Sequence, residues 1–281
     1  KTLKYAYLYA KTVTLGKTHW PETNRVMLRN RRIGTSMSGI AQFITNNGLN
    51  TLKLWCEEGY DELTKWDKMY SDWLAVPRSI KLSSIKPSGT VSLLVGATPG
   101  MHYPESRFYI RRMRLSKQSE LIEPLKKANY HLEPAFGSED STMVVEVPVD
   151  VGEGIRTVGD LSIWEQFNLA AFLQRHWADN QVSCTATFNP ETESAELPQV
   201  LNYFQYRLKG ISLLPRHELG AYRQMPYEAI DEKTYNKMVK KLGKLSFVGI
   251  EGEEADVEKF CDSSGCEIIY GTGDNDDQEY S

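Results

Sequence analysis

Two stretches of the chain hold residue types at spacings that could do chemistry. The first, Ser83-Ser84-Ile85-Lys86-Pro87-Ser88-Gly89-Thr90-Val91-Ser92-Leu93-Leu94, reads as a strand, a tight Pro-Ser-Gly turn and hydroxyl residues opening a short helix. Backbone N–H groups at a helix start lack intrahelical partners and sit at the positive end of the dipole, so they receive anions. Ser88, Thr90 and Ser92 add donors, and Gly89 lets a phosphate approach the backbone closely. The same residues also fit an N-capped helix that follows a strand and binds nothing. The second stretch is Cys261-Asp262-Ser263-Ser264-Gly265-Cys266. Small polar residues between two thiols permit a ring-closing disulfide and a swinging motion. A pair of incidental surface cysteines fits too, as does half a metal site with no further Cys or His beside it.

Other candidates read as packing. Cys56 and Cys184 fall in a long helix and a strand, where an inert buried thiol is the default. His102 follows the phosphate-type turn in a loop and receives no role. The Trp-rich helix reads as core, and no metal site is expected.

The elements that must position these groups come from a chain of 281 residues, 41% hydrophobic and 25% charged, which suits one large domain or two smaller ones. The formal charge of -4 is uneven: residues 251–281 carry eleven Asp or Glu against one Lys. A basic stripe with interleaved aromatics is missing, so direct nucleic-acid binding is not expected. No run approaches the roughly 20 apolar residues of a membrane helix, and no signal-peptide pattern opens the chain, which points to the cytoplasm. Four cysteines in this length are not a disulfide scaffold.

Apolar spacing predicts helices over Leu3–Leu15 and Thr35–Asn46, joined by a polar, Arg-rich connection from Asn24 to Arg32, and a long amphipathic helix over Thr51–Trp73. After Pro77, β-prone runs at Ile80–Ile85, Phe108–Leu115, Met143–Val149, Val182–Phe188 and Gly210–Leu214 alternate with helical patterns near Ser119–Asn129, Leu161–Ala178 and Leu197–Leu208. That alternation predicts an α/β fold with parallel strands, either an open sheet or half of a larger barrel. One more helix is expected at Asp231–Leu242. The divisions predicted are a helical segment at 1–76, an α/β body at 77–249 and an acidic tail at 250–281.

The stretch Lys86-Pro87-Ser88-Gly89-Thr90-Val91-Ser92-Leu93-Leu94-Val95-Gly96-Ala97-Thr98-Pro99-Gly100-Met101-His102 resembles, without a gap, the phosphate loop of monomeric class II ribonucleotide reductases, the adenosylcobalamin-dependent ribonucleoside-triphosphate reductases. Arg31-Arg32-Ile33-Gly34-Thr35-Ser36-Met37-Ser38-Gly39-Ile40, Trp177-Ala178-Asp179-Asn180-Gln181-Val182-Ser183 and Lys209-Gly210-Ile211-Ser212-Leu213-Leu214-Pro215-Arg216 resemble further parts of such chains, so the likeness covers nearly the whole sequence. It implies the C-terminal portion of a reductase: about half of a ten-stranded α/β barrel, as five parallel strands with crossover helices, plus a flexible acidic tail. It implies that Ser88, Gly89, Thr90, Val91 and Ser92 hold the phosphates of a nucleoside triphosphate. Cys261 and Cys266 would re-reduce an active-site disulfide and be reduced in turn by thioredoxin. Residues Ile268–Ser281 depart from the pattern by extending past that pair.

The class I large chains carry adjacent tyrosines on the last barrel strand, whereas this chain reads Gly210-Ile211-Ser212-Leu213-Leu214 there. The resemblance therefore implies a radical made locally from adenosylcobalamin. The family's Asn-Pro-Cys-Gly-Glu-Ile finger loop, with its thiyl cysteine, is absent from these residues. A split or truncated reductase, inactive until an N-terminal fragment joins it, is the expectation. The alternatives are an inactive nucleotide- or phosphate-binding module and a fragment of a class I large chain.

Overall fold

A computed structural model describes residues 1–89, 91–216, 223–246 and 248; Thr90, Cys261, Cys266 and the acidic tail lie outside the described residues. Helices α1 (Thr2–Val13), α2 (Pro21–Asn30) and α3 (Ile40–Leu74) open the chain. Helix α2 occupies the stretch expected to be a connection. Pro21 at its first turn supplies the helical φ, and Arg31 ends it in the left-handed region at φ 45. The helix expected from Thr35 begins only at Ile40, because Gly39 turns the chain at φ 76 and Thr35 is bridged parallel to Ser83. Helix α3 absorbs both later helical predictions and breaks at Gly48 (φ 79, ψ 161). Its Leu63 and Tyr70 are buried, but Leu54, Trp55 and Trp73 are exposed, so the Trp-rich helix is core on one face only.

Among the described residues after Pro77, the strands form two systems. Strands β1 (Phe108–Ser116), β2 (His131–Pro134), β3 (Thr142–Asp150) and β6 (Tyr227–Ala229) make an antiparallel sheet ordered β2-β3-β1-β6. The register of β1 on β3 runs from Phe108 opposite Asp150 to Ser116 opposite Thr142. This corrects the expectation of five parallel strands. The connection from β1 to β3 holds only the six-residue α4 (Ile122–Lys127) and β2, which pairs directly with β3, so the chain doubles back instead of crossing over. The β2 and β6 strands are too short to have stood out in the sequence.

The parallel system joins β4 (Thr185–Phe188) to β5 (Ser212–Pro215) across α6 (Leu197–Phe204). It continues through single bridges, Ile85 to Val182 and Thr35 to Ser83, so the extended stretches at 33–35, 81–85, β4 and β5 lie side by side. The mixed α/β class therefore holds, with parallel pairing confined to these segments. Helix α5 (Ile163–His176) packs behind β4, started by a capping box in which Ser162 Oγ accepts from Glu165 N–H and Glu165 accepts from Ser162 N–H. Helix α7 (Glu232–Val239) is capped by Asp231, which accepts from Thr234 N–H at 2.7 Å.

One cluster of buried side chains runs from Tyr7 and Leu63 through Leu82 and Ile85 to Leu173 and Val182, crossing residue 77 without interruption. Each such aliphatic side chain contributes roughly 1.5–3 kcal/mol by leaving water. Among the described residues no helix is long and apolar enough to cross a membrane.

Candidate phosphate site

The predicted anion turn lies where the Lys81–Ile85 segment ends, the side of parallel strands on which α/β proteins place ligands. Ser88 holds a left-handed backbone at φ 57, uncommon for a residue with a side chain. The expected short helix is a five-residue 3₁₀ turn, Val91–Val95. So short a turn sums few peptide dipoles, so the donors must come from local N–H groups and hydroxyls more than from a macrodipole. Ser92 is buried, and its Oγ has no hydrogen-bond partner. A buried hydroxyl without a partner costs about 1–3 kcal/mol, a cost that the Thr35, Thr98 and Thr187 hydroxyls also carry. Gly89 is buried, Ser88 is half-buried, and the side chains of Val91, Leu94 and Val95 project into solvent.

The turn is clamped by the segment leading into α3. Lys86 N–H donates to Ser36 Oγ at 2.9 Å, and Gly39 N–H donates to Thr98 O at 2.8 Å. Gln42 uses both ends of its amide: Oε1 accepts from Thr98 N–H at 2.8 Å while Nε2 donates to Gly96 O at 3.0 Å. Gly100 closes the loop at φ 51, where an added Cβ would stand 2.4 Å from Lys86 O. The two stretches around Ser36 and Ser88 are thus brought together.

The stretches at Trp177–Ser183 and Lys209–Arg216 do a different job: the first, with Lys209, knits the opposite ends of the parallel segments, and the second continues as β5 to Arg216, whose N–H donates to Phe188 O at 2.7 Å. Asn180 Nδ2 donates to Ile33 O at 2.7 Å and Ser83 O at 2.8 Å, and Asp179 Oδ2 accepts from Leu82 N–H at 3.0 Å and Tyr60 O–H at 2.9 Å. Trp177 Nε1 donates to Ser84 O at 2.9 Å, and Lys209 Nζ donates to Asp179 O.

Cys56 and Cys184 are buried, and burial pushes their thiols up to about 11 and about 12. At those values little thiolate forms. Cys184 borders a cavity of about 60 Å³ shared with Met101, His102, Tyr109, Gln166 and Thr187. Sequence reasoning missed Ser36 and Gln42, whose roles exist only once two distant segments meet. Among the described residues no group of three or more His, Cys, Asp or Glu is placed to hold a metal ion.

No family model matches the chain. It is 58% identical over 274 residues to a probable adenosylcobalamin-dependent ribonucleoside-triphosphate reductase of Dictyostelium discoideum, covering 96% of this chain and 36% of that protein. It is 56% identical over 271 residues to the adenosylcobalamin-dependent ribonucleoside-triphosphate reductase of Euglena gracilis, covering 95% and 37%. A crystal structure of a B12-dependent (class II) ribonucleotide reductase superposes with a TM-score of 0.74 at 33% identity, over 85% of this chain and 38% of that one. The chain spans a little over a third of the length of these relatives. With both the sequence and the fold in agreement, the chain belongs to the adenosylcobalamin-dependent ribonucleoside-triphosphate reductase family.

Proposed function

We propose that this chain supplies the substrate-phosphate site and the re-reduction cysteines of a B12-dependent reductase that converts ribonucleoside triphosphates to 2′-deoxyribonucleotides. The observation that carries the reading is the partnerless, buried Ser92 hydroxyl in a turn clamped on both sides by Ser36 and Gln42. Ser88, Gly89, Thr90, Val91 and Ser92 bind the phosphates and thereby orient the ribose. Fixing that geometry before reaction removes much of the entropic cost of bringing reacting atoms together.

Cys261 and Cys266 lie in the acidic tail. Their two thiols deliver two electrons and two protons to an active-site disulfide, becoming a disulfide themselves, and thioredoxin restores them by thiol exchange. The thiyl cysteine belongs to an N-terminal reductase fragment that docks here, the parallel segments of this chain forming part of one barrel with it. In this reading residues 1–76 lead into the barrel, 77–249 form its second half and 250–281 the redox tail.

Adenosylcobalamin supplies the radical in such an enzyme. The described residues do not by themselves fit a corrin. The cavity beside the phosphate turn measures about 60 Å³, and the open groove of about 830 Å³ lies between α1 and α2, at the opposite end of the parallel segments. The cofactor is proposed on family membership, and no step is routed through it.

Titration of the chain with cytidine triphosphate, inorganic tripolyphosphate and cytidine tests the site by calorimetry. Both phosphate compounds bind and the nucleoside does not. Equal binding of cytidine and its triphosphate, or no heat from either phosphate compound, overturns the reading.

A further inference from the structure

Ser183, Thr185 and Thr187 send their backbone N–H groups to the same side of one extended stretch, since orientation alternates along a strand. The Lys81–Ile85 segment serves only the first: Ser183 N–H donates to Ile85 O at 2.8 Å, and that segment then leaves for the phosphate turn. The third is served by Gln166, whose Oε1 accepts from Thr187 N–H at 2.9 Å while its Nε2 donates to Thr187 O at 2.7 Å. Between them, Thr185 N–H donates to His102 Nε2 at 3.2 Å. The chain that leaves this edge at Ile85 therefore returns to it at His102, and both limbs of the phosphate loop end on neighbouring positions of one strand.

A backbone N–H can only donate, so Nε2 carries the lone pair and the ring proton sits on Nδ1, which faces Pro99 O at 3.3 Å. In this arrangement the imidazole bonds on both sides, once to its own loop and once to β4. We propose that His102 is a positioning residue for the phosphate turn: its ring, accepting at Nε2, fixes the returning limb of the loop to Thr185, and so sets where the turn holds phosphate relative to β4. This rests on the phosphate-site reading given above.

Among the described residues, the titratable groups that border the same cavity are Tyr103 and Glu105 on the segment of His102 itself, Cys184 beside β4, Tyr109 on β1 and Tyr227 on β6. Protonating Nε2 turns it into a donor facing the Thr185 N–H, which breaks the clamp. A glutamine at position 102 carries an acceptor oxygen near the place of Nε2 but does not titrate.

The test compares the wild-type chain with His102→Ala and His102→Gln, using inorganic tripolyphosphate as the calorimetric probe and ¹⁵N NMR to follow the imidazole and the Thr185 amide. At about pH 8, His102→Ala weakens tripolyphosphate binding about tenfold and His102→Gln restores it to within about threefold of wild type, the scale of one backbone hydrogen bond. On acidification to about pH 5.5 the wild type loses more affinity than His102→Gln does. Wild-type affinity in a folded His102→Ala chain overturns the proposal. Should wild type bind no tripolyphosphate, the phosphate site fails while the clamp is judged by NMR alone. Support is then an Nδ1–H imidazole with a Thr185 amide protected in wild type and His102→Gln, and an Nε2–H or charged ring at about pH 8 refutes it. If His102→Ala does not fold, the same spectra on wild type and His102→Gln decide.

Discussion

Lys11 Nζ and Asp67 Oδ1 stand 2.7 Å apart between α1 and α3, with side-chain exposures of 0% and 6%. The pair is saturated: Asp67 also accepts from Tyr7 O–H at 2.7 Å and from Ser79 N–H at 3.2 Å, and Lys11 donates to Ser79 Oγ at 3.0 Å and Pro77 O at 3.2 Å. Burying two charges is expensive, and only complete hydrogen bonding offsets it. The network ties the N-terminal helix to the turn that feeds the Lys81–Ile85 segment, and through that segment to the phosphate turn.

Removing one partner leaves a buried charge without compensation. Lys11→Met is expected to lower unfolding stability by roughly 3–5 kcal/mol, and the double variant Lys11→Met with Asp67→Leu is expected to recover a large part of that loss. Urea denaturation of the three proteins measures it. A single variant within about 1 kcal/mol of wild type would mean that water reaches the pair.

Gly100 and Gly96 both have positive φ, but they differ in surroundings. A Cβ at Gly100 would meet Lys86 O at 2.4 Å and Pro87 O at 3.1 Å, whereas at Gly96 it would meet nothing within 4 Å. Gly96→Ala is therefore expected to cost about 1–2 kcal/mol, the left-handed penalty alone. Gly100→Ala adds backbone overlap for a total of roughly 2–4 kcal/mol, and it alone among the two displaces the limb of the phosphate loop. Equal losses in urea denaturation would contradict the contact.

That the chain turns after Pro87 was legible because the Pro-Ser-Gly pattern is local; that the turn holds phosphate is the proposal. The clamp on it was not, because Ser36 and Gln42 look like ordinary helix-start residues until the fold sets them against Lys86 and Thr98. Strand existence was legible at Phe108–Leu115 and Met143–Val149 from their β-branched and aromatic content. Strand direction was not, since it depends on whether the connection crosses over, and α4 is too short to do so. Helix α2 was hidden by Asn24, Arg25, Arg29 and Asn30, polar residues that leave Met27 and Leu28 as its half-buried apolar positions, and it has no buried residue. Cys261 and Cys266 stand out in the sequence as a spaced pair, and they lie outside the described residues.

Glu165 gives a pH test with a defined sign. The Arg156 guanidinium, donating from Nη1 at 2.8 Å, and the Ser162 N–H of the capping box at 3.0 Å hold its carboxyl below the usual carboxylate range. A carboxylate whose folded value is depressed stabilises the fold above its unfolded value, near pH 4.3, and loses that contribution as pH falls through the folded one. The stability difference between wild type and Glu165→Gln should thus be constant above about pH 5 and fade below about pH 4. Because the pair is half exposed, the difference is small. Denaturant midpoints of both proteins from pH 7 down to about pH 3 measure it, and a difference that grows on acidification would reverse the assignment.

Ser92→Ala separates stability from binding. In the chain alone the Oγ is buried without a partner, so deleting it removes a desolvated donor and a small void appears in its place. These opposing effects leave stability within about 1 kcal/mol of wild type, or slightly raised. With phosphate present the same hydroxyl donates to a charged oxygen, a bond worth about 1.5–3 kcal/mol, so the variant should bind inorganic tripolyphosphate roughly ten- to a hundredfold more weakly. The two measurements move apart only if the hydroxyl is kept for a ligand. A hydroxyl that merely supports the turn would lower both together, and one that faces an unrelated void would change neither.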